Sequence, residues 1–103
     1  MLRDEVYDET VGYKALDYEG MVKAEVTAAR ARKLIHVAVK SGVFAAFVGP
    51  KSLVAFFLGD ADGPKPALAL EWICEALREK HGFDVDKDAA EGIRIGWAKK
   101  EAP

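Results

Sequence analysis

The chain has 103 residues, half of them apolar and nearly a third charged, with a formal net charge of -2. That size fits one domain with a core of its own, and the near-neutral balance favours neither nucleic acid nor an anionic membrane as a partner. Cys74 is the single cysteine, which excludes an internal disulfide and any multi-cysteine metal site.

Charge is distributed unevenly. Residues 1–20 carry two basic residues against six acidic ones, net -4, whereas residues 21–51 carry six against Glu25 alone, net +5. An acidic arm before a basic helix suits head-to-tail contact between like subunits, or folding of the arm onto its own helix. The opening Met-Leu-Arg-Asp-Glu-Val-Tyr-Asp-Glu is too acidic for a signal or transit peptide, and no apolar run is long enough for a bilayer, so synthesis in the cytoplasm is expected.

In chain order, residues 1–17 read as an extended acidic arm and residues 18–103 as one domain. From Asp17 as N-cap to Ser41, abundant Ala, Lys and Arg with Gly42 as a C-cap predict one long helix. Met21, Ala24, Ala28, Ala31, Ile35 and Ala38 form its core stripe. Val22, Val26 and Val37 fall elsewhere, among Lys23, Arg30, Lys33 and Lys40, and this second apolar strip reads either as an intersubunit surface or as cover for the arm.

Residues 43–58 read as a β-hairpin, Val-Phe-Ala-Ala-Phe-Val and Leu-Val-Ala-Phe-Phe-Leu around Gly49-Pro50-Lys51-Ser52, apolar on both faces. One helix layer covers one face, so Phe44, Phe47, Phe56 and Phe57 cannot all turn to it, and the other face should meet a further layer or another chain. The cluster Gly59 to Pro66 ends the hairpin. Pro66 then opens a second helix through His81, closed by Gly82, with Leu70, Ile73, Cys74 and Leu77 inward, a strand from Ala67 to Trp72 before the helix being the competing reading. Phe83 to Gly92 is an acidic loop, and Ile93-Arg-Ile-Gly-Trp97 alternates as a half-exposed final strand. The fold class is therefore α+β, a small, mainly antiparallel sheet packed against one long N-terminal helix and a shorter second helix.

Chemistry-bearing constellations are sparse. His36 and His81 lie far apart with no partner at metal-ligand spacing, and Cys74 sits on an apolar helix face. Asp60 and Asp62 with Glu71, and Asp84, Asp86 and Asp88, start like calcium loops, but Lys65 and Ala89 stand where the loop needs glycine. No nucleophile elbow or phosphate loop is present, so no catalytic residue, cofactor or metal is expected. The basic helix lacks aromatic stacking residues and a helix-turn-helix partner, which favours a solvated or protein-binding face over a nucleic-acid one.

The order of an Ala/Arg-rich helix, a hairpin containing Val54-Ala-Phe-Phe-Leu58, the turn Asp60 to Pro64 and then Ala67-Leu-Ala-Leu-Glu71-Trp72 resembles the small head-tail connector proteins of long-tailed bacteriophages, of the neck or tail-completion type. The likeness spans about residues 18 to 80. Val37 to Gly42 replaces that family's usual Pro-Val-Asp-Thr-Gly segment, and Ile73 its usual glycine. The resemblance implies a virion protein without enzymatic activity, assembled in the host cytoplasm as a homo-oligomeric ring between capsid and tail, with neighbouring connector or tail proteins as partners and DNA at most passing through the lumen. The interface residues expected are Phe44, Phe47, Phe56, Phe57, Val22, Val26, Arg30 and Lys33. A dimeric binding or regulatory protein and a small enzyme using Asp60, Asp62 or Glu71 are the rival readings.

Overall fold

A computed structural model describes residues 1–14 and 17–99. The joint of the expected arm at residues 15 and 16, and the end of the expected domain at 100–103, lie outside the described residues. The elements are α1 (Leu2–Lys14), α2 (Tyr18–Glu25), α3 (Ala28–Lys40), β1 (Ala45–Val48), α4 (Pro50–Leu58), α5 (Pro66–Glu79), β2 (Asp84–Asp86) and β3 (Ile93–Gly96). The strands form one antiparallel sheet in the order β1-β3-β2. The fold is α+β, as the patterning implies.

In the expected acidic loop Asp84–Asp86 forms the strand β2, and Met21 and Ala28 of the expected core stripe are exposed. Three larger expectations are corrected. The arm is helical in α1 rather than extended, and its side chains from Leu2 to Gly12 are all exposed. The long helix is two helices broken at Val26 and Thr27. Asp17 caps the first by accepting from the Gly20 amide at 2.7 Å, and Thr27 Oγ1 caps the second by accepting from the Arg30 amide at 3.3 Å. A β-branched pair of which one member is a good N-cap lets the chain restart.

The hairpin is the third. Its first strand stands as β1, but the partner segment is the helix α4, and β1 pairs with β3 instead. Pro50 has no amide to give to a sheet ladder and sits at the helix start, while Gly59 ends the helix at φ +78°, a conformation that suits glycine. Leu53, Val54 and Phe57, three and four residues apart, face inward.

Helix α5 is central, lying against α2, α4 and β2, while α3 lies along β1. Its Ala69, Ile73, Cys74, Ala76 and Leu77 are buried with Val22, Val26, Ala31, Ile35, Leu53, Val54, Phe57, Ile93 and Ile95. Ala46, Val48 and Val85 supply the inner face of the sheet around that core. Ala45, Phe47, Arg94, Gly96, Asp84 and Asp86 alternate onto the outer face. Gly92 closes the β2–β3 loop at φ +124°, where an added Cβ would meet the Val48 carbonyl oxygen at 3.0 Å.

Candidate assembly interface

The eight residues expected at an interface divide into three groups. Val22, Val26 and Phe57 are 1%, 0% and 2% exposed and belong to the core of the single chain, so they leave the surface set. The physical reason is the break after α2, which turns the strip bearing Val22 and Val26 inward, and the helical geometry of α4, which does the same for Phe57. Phe56 is half-buried, its ring edge-on to Phe57 at 5.0 Å. Phe44, Phe47 and Lys33 are exposed, the two rings at 63% and 48%.

Arg30 is a structural clasp. Its Nη1 donates to Glu25 Oε2 at 2.6 Å and its Nη2 to the Phe56 carbonyl at 3.0 Å, with the guanidinium carbon 5.8 Å from the centre of the Phe57 ring. Beside it opens a groove of about 590 Å³, lined in part by Tyr18, Met21, Phe57, Asp60 and Pro64. Its polar groups are engaged within the chain: Tyr18 donates its hydroxyl to the Pro64 carbonyl at 2.6 Å, and Asp60 accepts from the Asp62 amide at 2.8 Å. Most of the groove's lining is carbon.

The acidic segments are turns closed by their own carboxylates, since Asp86 likewise accepts from the Asp88 amide at 2.9 Å. Among the described residues no group of three or more His, Cys, Asp or Glu is placed to hold a metal. His81 and Lys80 serve α2: His81 Nε2 lies 2.7 Å from the Val26 carbonyl oxygen, and Lys80 Nζ donates to the Lys23 carbonyl at 2.9 Å. Side chains leaving the end of α5 thereby cap the carbonyl end of α2. Burial pushes the Cys74 thiol up, as suits a core residue rather than a nucleophile.

Two helical surfaces are unmated among the described residues. The first is α1, whose Asp4, Glu5, Asp8 and Glu9 share one side at helical spacing while Leu2, Val6, Tyr7 and Val11 share the other with Arg3. The second is the outer face of α3, where Arg32, Lys33, His36, Val37 and Lys40 are exposed, and where Arg32, Ile35, His36 and Val39 line a hollow of about 310 Å³. Between residues 26 and 58 there are five Lys or Arg and no acid, so nothing in this stretch neutralises the face. Charge counting finds both surfaces, but the helical form of α1, which sorts its acids from its apolar residues, was hidden by its weak pattern and by Gly12.

Compared with known proteins, the chain matches no family model, no curated protein and no solved structure. Among the described residues no helix is long and apolar enough to cross a membrane.

Proposed function

We propose that this protein is a structural subunit without catalytic activity or cofactor that assembles with copies of itself, and that the assembly is the ring of a head-tail connector in a long-tailed bacteriophage virion. One observation carries the assembly reading: a single chain exposes an acidic, half-apolar helix, α1, and a basic, valine-bearing helix face on α3, and among the described residues mates neither internally. Because the two patches differ, each subunit gives one and receives the other, and such head-to-tail contacts close into rings when the rotation allows. Opposite charge steers the acidic side of α1 onto the basic face of α3, and Val11 and Val37, at the margins of those two sides, add buried apolar area.

The virion assignment rests on the sequence resemblance, through the Ala/Arg-rich helix, the Asp60 to Pro64 turn and the Ala67 to Trp72 segment, now without its hairpin. The ring would then join capsid and tail between other connector or tail proteins, with DNA at most passing through its lumen.

The test is charge reversal with rescue. Replacing Asp4, Glu5, Asp8 and Glu9 by Lys should abolish every assembly larger than a dimer seen by light scattering, and adding Arg32→Glu, Lys33→Glu and Lys40→Glu should restore the larger one. A monomeric wild-type chain, or a multimer indifferent to the α1 reversal, overturns the reading.

A second reading is favoured by topology. The order α3, β1, α4, α5, β2, β3 with sheet order β1-β3-β2 is that of a winged helix-turn-helix, in which α5 would be the helix offered to nucleic acid and the β2–β3 loop the wing. Here the outer side of α5 carries Leu68, Glu71, Arg78 and Glu79, and the wing carries Lys87, Asp88 and Glu91, with Asp84 and Asp86 beside it, six acids against two bases. Acids outnumber Arg78 and Lys87 on that face, a balance that disfavours phosphate and suits a protein partner better than DNA. Fluorescence anisotropy with duplex DNA separates the two: binding that weakens with salt would favour the nucleic-acid reading.

A further inference from the structure

We infer that the free edge of β1 pairs with β1 of a second copy, joining two three-stranded sheets into one antiparallel sheet of six strands about a two-fold axis. The hydrogen-bonding phase of β1 fixes which groups are available. Trp97 donates its amide to the Phe44 carbonyl at 2.9 Å, and with Ala46 opposite Ile95 and Val48 opposite Ile93 this makes residues 44, 46 and 48 the ones bonded to β3. Ala45 and Phe47 therefore aim their amides and carbonyls away from the sheet, and no hydrogen bond among the described residues engages them.

The opposite edge is guarded and this one is not. On β2, Asp84 and Asp86 flank the single apolar Val85, a common defence against strand addition. From Val43 to Val48 the sequence is Val-Phe-Ala-Ala-Phe-Val, without a charge, a proline or a glycine, and Val43, Phe44 and Phe47 are each about half exposed or more.

Symmetry and phase select one register. Only residues whose groups point outward can exchange bonds, so Ala45 must pair with Phe47 of the second copy and Phe47 with its Ala45, giving four hydrogen bonds and placing Ala46 opposite Ala46 on the axis. Side chains then fit large against small. Phe47 lies over Ala45 on the outer face, Phe44 meets Val48 on the inner one, and the two Ala46 side chains occupy the closely spaced non-bonded site. A second copy is the occupant because the segment is self-complementary in this register and bears no charge to select a different partner.

This contact is separate from the α1–α3 contact, so the two fail independently. The decisive variant is Ala45→Pro, which removes an amide the chain's own sheet does not use. In a chain already carrying the four α1 charge reversals, the two-fold dimer should persist, and Ala45→Pro should weaken it about 100-fold for two lost hydrogen bonds. Phe47→Lys, which places a charge on the edge, should do the same by a different route. In the unsubstituted chain the Ala45 and Phe47 amides should exchange more slowly with deuterium as concentration rises. Amide exchange independent of concentration, or association unchanged in both variants, overturns the pairing. An α1-reversed chain that is monomeric also overturns it while leaving the head-to-tail ring intact.

Discussion

Arg30 and Glu25 face each other across the break between α2 and α3, guanidinium Nη1 to carboxylate Oε2 at 2.6 Å. The pair fixes the angle at which the second helix leaves the first, and Nη2 carries the tie on to α4 through the Phe56 carbonyl. The residue that sequence patterning offered as an interface cation is thus a fastener between three helices.

Replacing Arg30 by Ala should lower stability by roughly 1–2 kcal/mol, since one charged hydrogen bond to a carbonyl and a half-exposed ion pair are lost together. Arg30→Lys should recover only part of this, because one ammonium cannot span both acceptors in the geometry of the fork. Urea denaturation checks it, and an unshifted midpoint for Arg30→Ala would refute the fastening role.

The phenylalanines provide a contrast within one small region. Phe57→Ala should cost about 3–5 kcal/mol, as for a large buried ring, whereas Phe44→Ala should stay within about 0.5 kcal/mol in the dissociated chain. Equal effects on the urea midpoint would mean that Phe44 is packed like a core residue.

How far these roles could be read from sequence depended on how each signal competes. Helix α5 and strand β3 were legible because Pro66 marks the start of one and Ile93-Arg-Ile-Gly alternates in the other. The run from Leu53 to Leu58 was not, since six consecutive apolar residues suit a buried strand or a buried helix equally by period. Pro50 at the start and Gly59 just past the end carried the helix signal, and pairing of β1 with β3 was a tertiary choice that local sequence could not display. Phe44, Phe47 and Lys33 were legible as surface residues, while Val22 and Val26 were misread because one unrecognised cap at Thr27 rotates everything before it.

The end of α5 should matter to α2. His81→Ala removes the partner of the Val26 carbonyl oxygen and should cost about 1 kcal/mol. It should also speed amide exchange in α2 before it affects α4. Uniform acceleration across the chain would instead indicate a general loss of packing.

Lys23 has its ammonium held above the ordinary lysine value by the hydrogen bond from its side chain to Glu75, 3.2 Å away, with Glu19 adding to the effect. A folded value above the unfolded one means that this contribution is fully present below the ordinary value of 10.5 and is lost as pH rises through the folded value. The stability difference between wild type and Lys23→Met should accordingly shrink with rising pH in that alkaline range, and be small throughout because the pair is half-exposed and solvent-screened. A difference that grows with pH would contradict the assignment.

The central claim is that a chain with unmated acidic and basic helices builds a multimer from itself. Light-scattering mass across a salt titration tests it most directly, because exposed charge pairs are screened over about 8 to 10 Å near physiological ionic strength. The account predicts an assembly larger than a dimer at low salt whose mass falls as salt rises, and which the α1 charge reversal reduces to a dimer or less unless α3 is reversed too. A mass equal to that of one 11.2 kDa chain at every salt and protein concentration would contradict it.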